Sequence, residues 1–335
     1  TRKESSAASD VYKRQVLGPL SFQPAEYLKV IVVWYLAHTF SKQQSAIEHY
    51  DYQALTKNRW IPRTKEEFND WRYYLLVMIG LVAIQPDLGN AAIIVLTTVV
   101  MFSISGVGYR WFTALFAGIV GLSSAFLGLI ALVGVQNMAK VPVFGYVAKR
   151  FAAYFNPFKD LTGSGLQLSH SYYAMSNGGW FGLGLGNSIE KTGYLPEATT
   201  DFVFSIVIEE LGLIGAGLIL ALLFFLILRI MIVGVKARNP FNSMMALGVG
   251  ALMLMQVFVN IGGISGLIPS TGVTFPFLSQ GGNSLLVTSV GIAFVLNIAA
   301  NEKRDNIVQA IEEGLSQTQE LENQNEKIVP LRRSR

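Results

Sequence analysis

The chain has 335 residues, of which 51% are hydrophobic and only 14% are charged. Because a soluble domain carries about 25% charged residues, this composition excludes an ordinary soluble enzyme. The net charge of +4 is too small a bias for a nucleic-acid-binding protein, so no nucleic acid partner is expected. The chain contains no cysteine and three widely separated histidines, which excludes disulfides and thiolate metal sites.

Long uncharged segments dominate the sequence. The longest, residues 239–301, has 63 residues without Asp, Glu, Lys, Arg or His, which is enough for two bilayer crossings of about 20 residues each. Backbone groups in hydrocarbon must hydrogen-bond internally, so the fold class is an all-α polytopic membrane protein. The runs predict seven transmembrane helices, at about residues 20–40, 72–86, 90–108, 111–135, 202–228, 243–263 and 284–301.

The distribution of basic residues predicts the orientation of these helices. Arg229, Lys236 and Arg238 follow the fifth predicted helix, and further basic residues follow the last one, so both segments are expected in the cytoplasm. Loop 41–71 then lies on the same side. Loop 136–201 is extracytoplasmic, and its uncharged stretch, rich in glycine and aromatic residues, is expected to dip into the membrane edge.

The two ends of the chain are expected to differ from the helical domain at residues 16–301. With this orientation the first helix starts outside the cell, and no signal peptide accounts for that, so upstream helices are expected to be missing. Residues 1–15 resemble a non-native leader fused to a truncated reading frame. Residues 302–335 form a polar cytoplasmic tail, expected to be partly disordered.

Several charged residues lie near the predicted outer surface. Asp201 directly precedes a helix and could cap it, or could meet the head group of a lipid-linked substrate; both roles remain open. Glu26 and Lys29 could form an i, i+3 pair, or Lys29 could meet a phosphate that Glu26 orients. Of the basic residues in loop 136–201, Arg150 and Lys191 suit a pyrophosphate, with Arg150 preferred.

Two further features mark the membrane region. Glu209 and Glu210 enter the apolar slab about 12–14 Å along their helix, where at least one of them is expected to be hydrogen-bonded, helped by an irregularity at Leu211 and Gly212. Residues 269–284 contain prolines and glycines that exclude a regular helix. Such a broken segment is tolerated only where protein or a watery cavity covers it.

Together these motifs resemble the SEDS family (shape, elongation, division and sporulation), whose members polymerise lipid II into peptidoglycan. The resemblance covers about residues 16–303 and implies a ten-helix bundle, of which this chain would hold seven helices and a large extracytoplasmic loop. Within the family, the chain resembles the cell-division branch more than the elongation branch. The segments that carry it are FQPAE with Lys29, QPDLG (85–89), RFAAYFNPFKD (150–160), Gln167, the glycine run 178–186, YLPEATTDF (194–202), EELG (209–212) and GLIPSTGVTFPFLSQGGNS (266–284).

The resemblance implies specific roles. Asp201 would be the catalytic carboxylate, which removes a proton from the acceptor sugar. Arg150, Lys29 or Lys191, or a divalent cation such as Mg²⁺ or Mn²⁺, would offset the charge of the leaving pyrophosphate. The remaining candidate substrate-binding residues are Glu26, Glu197, Gln167, Glu210 and Ser279.

The implied partners are lipid II, membrane lipid, a class B penicillin-binding protein transpeptidase and other division proteins, at the bacterial plasma membrane with the active site outside. Three alternatives remain: a lipid II transporter, a non-catalytic scaffold of the division machinery, and an elongation-type paralogue. A chain without its upstream helices is expected to be unstable or inactive.

Overall fold

The computed structural model describes residues 15–17, 20–48, 71–84, 87–105, 150–151, 153–159 and 165–328, with isolated positions between 113 and 132. The proposed leader, most of loop 41–71, the crossing expected at 111–135 and the last residues of the tail lie outside these continuous ranges. All statements below concern the described residues.

The described segments are almost entirely helical. A short antiparallel hairpin, β1 (Gln15–Leu17) and β2 (Leu20–Phe22), comes first, so the first crossing begins four residues later than predicted. Two 3₁₀ turns lie at Pro157–Lys159 and Glu190–Thr192. The helices are α1 (Pro24–Glu48), α2 (Trp71–Ile84), α3 (Leu88–Ile104), α4 (Leu166–Gly178), α5 (Val203–Lys236), α6 (Pro240–Ile264) and α7 (Gly282–Ile328).

Six of the seven predicted crossings therefore correspond to a helix in the described residues. Three helices are long and apolar enough to cross a bilayer by themselves: α5, α6 and the Gly282–Leu321 part of α7. The apolar parts of α2 and α3 are shorter. The additional helix, α4, has 13 residues and lies within the loop predicted at 136–201.

Helix α6 lies at the centre of the bundle. It packs against α1, α3, α5 and α7, and 78% of its most apolar stretch is buried, against 22% in α5 and 28% in α7. Small residues permit this packing: a Cβ on Gly248 would lie 2.7 Å from Val33 Cγ1 and 2.9 Å from Met101 Cε. Helices α1 and α3 thus approach α6 closely at this glycine, as is typical of helix interfaces in membranes, where small residues are enriched.

Helix α5 is broken at Gly212, where φ is 70° and ψ is 178°. The preceding loop fills the break, because the amides of Leu183 and Gly184 donate to the carbonyls of Glu209 and Glu210 at 2.9 Å. In return, the amides of residues 213 and 214 donate to the carbonyls of residues 179 and 180, at 2.9 and 3.2 Å. The irregularity predicted at Leu211 and Gly212 is confirmed at Gly212, and these four hydrogen bonds satisfy backbone groups that the break frees.

The two ends of α6 define the two ends of the bundle. At its N-terminal end, Glu302 accepts hydrogen bonds from the Arg238 amide (3.2 Å) and Asn242 Nδ2 (3.2 Å), which ties the start of the tail to the α5–α6 connection. The prediction of a partly disordered tail is wrong up to Ile328, since α7 continues through it as helix. The tail is rich in Glu and Gln, which are good helix formers.

Candidate active site

Asp201 lies at the opposite end of the bundle, directly before α5. The helix is capped by Phe202 without a side-chain hydrogen bond, so the interpretation of Asp201 as the N-cap is wrong. Its carboxylate instead faces Gly272 in the broken segment before α7: a Cβ built on Gly272 would lie 3.2 Å from Asp201 Oδ2 and 3.1 Å from Arg150 Nη2. Asp201 and Arg150 therefore converge on one glycine.

Arg150 reaches this point from the segment before the 3₁₀ turn at 157–159. Its guanidinium donates a hydrogen bond to the carbonyl of Ser270, which anchors the group beside the broken segment. A guanidinium is always charged and presents five N–H donors in a fixed plane. The structure thus brings together the two residues that the sequence analysis ranked first, a carboxylate and a permanent cation.

Asn260 on α6 holds the backbone of this site. Its Nδ2 donates to the Asp201 carbonyl at 2.8 Å and to the Val273 carbonyl at 2.6 Å, and the residue is only 3% exposed. One turn earlier, Gln256 Nε2 donates to the Thr274 carbonyl at 3.0 Å. Through these two side-chain amides, α6 is hydrogen-bonded both to Asp201 and to the broken segment at residues 273–274.

A second set of contacts joins the broken segment to the residues before Asp201. Ser279 Oγ donates to the Thr200 carbonyl and accepts from the Phe275 amide, both at 2.6 Å. The Gln280 amide donates to the Thr199 carbonyl at 2.8 Å. Ser279 was predicted to bind substrate; the structure gives it a bracing position between the two loops.

The resulting cleft is small, with a volume of about 10 Å³, and is lined by polar backbone as well as side chains. Typical small-molecule pockets measure about 300–1,000 Å³, so a sugar ring does not enter the cleft as it stands and would have to bind at its mouth. Its walls come from three segments: Asp201 and Phe202, the α6 residues Val259, Asn260, Gly263 and Ile264, and residues 270–273.

Gly272 provides a test of this geometry. We expect Gly272→Ala to lower activity at least about tenfold, because the new methyl would contact both Arg150 and Asp201 and the residue has a φ of 73°, which disfavours side chains. Gly282→Ala is the matched control, since a Cβ there meets nothing within 4 Å. Equal activity of both variants in a polymerisation assay would contradict a role for the Gly272 approach.

Lys29 and Glu26 form a separate buried pair. Lys29 Nζ lies 2.7 Å from Glu26 Oε2, and the two residues are 1% and 2% exposed. The i, i+3 interpretation is confirmed. The pair lines a small cavity with Gln256 and residues of α7, so it lies about one turn of α6 from Asn260 and the cleft. Contact of Lys29 with a phosphate stays a prediction.

Lys191 and Glu210 form an ion pair with each other, between the 3₁₀ turn at 190–192 and α5. The neighbouring Glu209 is completely buried and accepts hydrogen bonds from Asn177 Nδ2 (3.2 Å), the Ile189 amide (3.2 Å), the Glu190 amide (3.4 Å) and the Ser188 hydroxyl. The expectation that at least one of these glutamates is hydrogen-bonded is therefore confirmed. Lys191 is held by Glu210, and its contact with a pyrophosphate stays a prediction.

The two remaining candidates lie in the same outer region. Glu197 has a φ of 58°, and its Oε2 accepts a hydrogen bond from Thr200 Oγ1 at 2.7 Å, so it shapes the turn that leads into Asp201. Gln167 lies in the first turn of α4 and is partly buried. Substrate contacts of both residues stay predictions.

A metal site is not built into the described part of the chain. No group of three or more His, Asp or Glu side chains there could hold an ion. The one carboxylate of the cleft is also next to a guanidinium, which is a poor environment for a resident cation. We therefore derive no step through a protein-bound metal.

The model of the cell cycle protein family named for FtsW, RodA and SpoVE matches residues 14–304. This chain belongs to that family. Its helical fold and its three long apolar helices make this member of the FtsW/RodA/SpoVE family a membrane protein.

Curated relatives similar to this chain include proteins named FtsW. The chain is 50% identical to the probable peptidoglycan glycosyltransferase FtsW of Lactococcus lactis over 85% of this chain and 67% of that protein. It is 39% identical to FtsW of Bacillus subtilis, over 84% of this chain and 66% of that protein. The chain thus spans about two thirds of the length of these relatives.

A solved structure shares the fold. A peptidoglycan synthase complex, described as coordinating polymerization and crosslinking, matches with a TM-score of 0.60 and 26% identity over 87% of this chain and 73% of that one. The SEDS fold class expected from the motifs is therefore confirmed.

Sequence analysis did not identify Asn260 or Gln256 as residues that organise the site. One signal was available: Gln256 and Asn260 are amides four residues apart in the uncharged run, and therefore on one helix face. Their targets are backbone carbonyls of Asp201 and of the broken segment, and the identity of those carbonyls depends on loop conformations that residue types do not specify.

Proposed function

We propose that this chain polymerises lipid II into β-1,4 glycan strands during cell division and releases undecaprenyl pyrophosphate. The observation that carries the proposal is the convergence of Asp201 and Arg150 on Gly272 in a cleft at one end of a membrane bundle. The 50% identity to a relative named peptidoglycan glycosyltransferase FtsW supports this activity and favours division over elongation.

Asp201 acts as general base in this proposal. Its carboxylate takes the proton from the 4-hydroxyl of the acceptor sugar while that oxygen attacks C1 of the donor sugar. The bond from C1 to the pyrophosphate breaks in the same displacement, so the α-linked donor gives a β-linked product. Asn260 and Ser279 keep the backbone at Asp201 in place through the hydrogen bonds described above. Because the displacement is direct, the reaction needs no second carboxylate.

Arg150 offsets the charge that develops on the leaving pyrophosphate. A preorganised guanidinium next to the reacting atoms stabilises that charge without reorganising during the reaction. Its anchor on the Ser270 carbonyl fixes the direction of its other donors. Lys29 would contribute to offsetting this charge only if the cavity that encloses it opened toward the cleft.

The site would face the extracytoplasmic side of the plasma membrane. The basic α5–α6 connection and the start of the tail lie together at the other end of the bundle, as expected for the cytoplasmic side. A class B penicillin-binding protein transpeptidase is the proposed partner, because the structural relative is a complex described as coordinating polymerization and crosslinking.

A chimera tests the proposal. Residues 14–304 replace the matching segment of the Lactococcus lactis relative, so that the rest of that protein is retained, and the purified chimera is incubated with lipid II in proteoliposomes. We expect glycan polymer, and we expect the chimera to support division of cells depleted of their own protein. The same chimera with Asp201→Ala is the control for contaminating polymerase.

The assay also separates the alternatives. Movement of labelled lipid II across the proteoliposome membrane without polymer would replace the proposal with a transporter. Support of division by both the chimera and its Asp201→Ala variant, without polymer from either, would replace it with a scaffold.

A further inference from the structure

We infer that residues 179–185, here called the tryptophan loop, form an interfacial anchor that inserts Trp180, Phe181 and Leu185 into the lipid bilayer beside the break in α5. The inference does not depend on the proposed activity. It rests on the depth at which the loop is hydrogen-bonded and on the chemistry of the side chains that it leaves uncovered.

The charges on α5 define where the hydrocarbon begins. Glu210 and Arg229 enclose an uncharged run of 18 residues. At 1.5 Å per residue this run is about 27 Å long, close to the hydrocarbon thickness of about 30 Å. The break at Gly212 therefore lies at the boundary between hydrocarbon and head groups, which places Glu209 and Glu210 nearer the membrane surface than the sequence alone predicted.

The tryptophan loop is fixed at this level by main-chain hydrogen bonds. The Trp180 carbonyl accepts from the Ile214 amide at 3.2 Å, and the Leu183 amide donates to the Glu209 carbonyl at 2.9 Å. The loop thus lies against α5 within one turn of the boundary. Because its backbone is part of the helix break, it cannot move away from this depth without exposing unpaired groups to lipid.

The side chains at this depth are apolar and uncovered. Trp180 is 68% exposed, Phe181 84% and Leu185 77%. The surface continues on α5 with Ile214 and Leu218, which are 56% and 64% exposed. An uncovered patch of this kind on a soluble protein would mark a binding surface. Here it is continuous with the lipid-exposed side of a spanning helix.

Lipid is the partner that fits this chemistry. Tryptophan is enriched where the hydrocarbon meets the head groups, because its ring is apolar and its N–H can reach water or lipid oxygens. The positive φ values of Gly182, Gly184 and Gly186 let the loop turn tightly enough to present neighbouring side chains outward.

Fluorescence quenching tests the inference in the whole chain reconstituted into phosphatidylcholine nanodiscs. The other four tryptophans are changed to Phe (Trp34, Trp60, Trp71 and Trp111), which leaves Trp180 as the emitter. We expect lipid brominated near the carbonyl end of its chains to reduce emission roughly twofold, lipid brominated near the terminal methyl to reduce it less, and aqueous iodide to have little effect.

Two matched probes calibrate depth in the same background with Trp180→Phe. Leu218→Trp lies near the middle of the run between Glu210 and Arg229 and should respond most to the deep bromine. Ser316→Trp lies on the polar end of α7 and should respond to iodide. Strong iodide quenching of Trp180 would overturn the inference. Protection from iodide and from both lipids would also overturn it, in favour of a protein partner on the loop.

A second measurement covers the case in which the multiple Phe variant does not fold. The chain has no cysteine, so Phe181→Cys gives a single attachment point for a nitroxide spin label with few other substitutions. Greater relaxation by oxygen than by a water-soluble nickel chelate supports insertion into lipid. The opposite order contradicts it.

Discussion

Asp201→Asn is expected to reduce lipid II polymerisation by at least about 100-fold, because the amide cannot accept the proton of the attacking hydroxyl. The change is isosteric, and the Asp201 carbonyl keeps its bond to Asn260, so the fold should be preserved. The measurement is the initial rate of glycan formation by the chimera in proteoliposomes, together with its thermal unfolding midpoint.

The control for Asp201→Asn is a carboxylate removed far from the cleft. Glu302→Gln makes the corresponding change within residues 14–304 at the other end of the bundle and should leave the rate unchanged. An undiminished rate for Asp201→Asn would eliminate Asp201 as the base. A rate lost together with the unfolding midpoint would assign the residue to stability instead.

Glu209→Ala is expected to lower the free energy of unfolding by about 3 kcal/mol or more, since it leaves buried donors of the 188–190 turn without an acceptor. Glu209 is completely buried, and the two backbone amides and the Ser188 hydroxyl that it accepts from lie in one short turn. Thermal unfolding in detergent measures the loss. Limited proteolysis should then cut the glycine-rich loop between α4 and this turn much faster.

Glu210→Ala is the neighbouring comparison. Glu210 pairs with Lys191 and is hydrogen-bonded by the backbone of Gly186 and Ser188, but the two side chains of the pair keep 13% and 33% of their surface exposed, so the loss should be smaller than for Glu209. A similar loss in both variants would show that the buried hydrogen bonds of Glu209 are not what holds the turn.

The sequence predicted the helices well because their signal is local. Uncharged runs of bilayer length predicted α3, α5, α6 and α7, and a shorter run and a run with two charges predicted α2 and α1. The predicted ends differ by a few residues at most of the termini, and the family motifs directed attention to Asp201 and Arg150. The end of α7 was predicted to be partly disordered, because a polar, charged segment is compatible both with disorder and with a solvated helix. Only its continuity with the apolar half favours the helix.

The pairing of side chains within the site was much harder to predict. Asp201 occupies a position where capping is common, and its contact with the Gly272 segment depends on a loop 70 residues later in the chain. Sequence analysis kept both Lys29 and Arg150 as cations that could meet the pyrophosphate. The structure separates them, since Lys29 is enclosed with Glu26 while Arg150 lies at the cleft.

The break in α5 also constrains the order of assembly. The segment that completes the broken helix precedes α5 in the chain, so it has already emerged from the ribosome when α5 is synthesised. It can therefore bind the break as α5 enters the bilayer, so that the freed backbone carbonyls are hydrogen-bonded as soon as they reach the hydrocarbon. Moving this segment after α5 by circular permutation would remove that advantage, and insertion efficiency should fall.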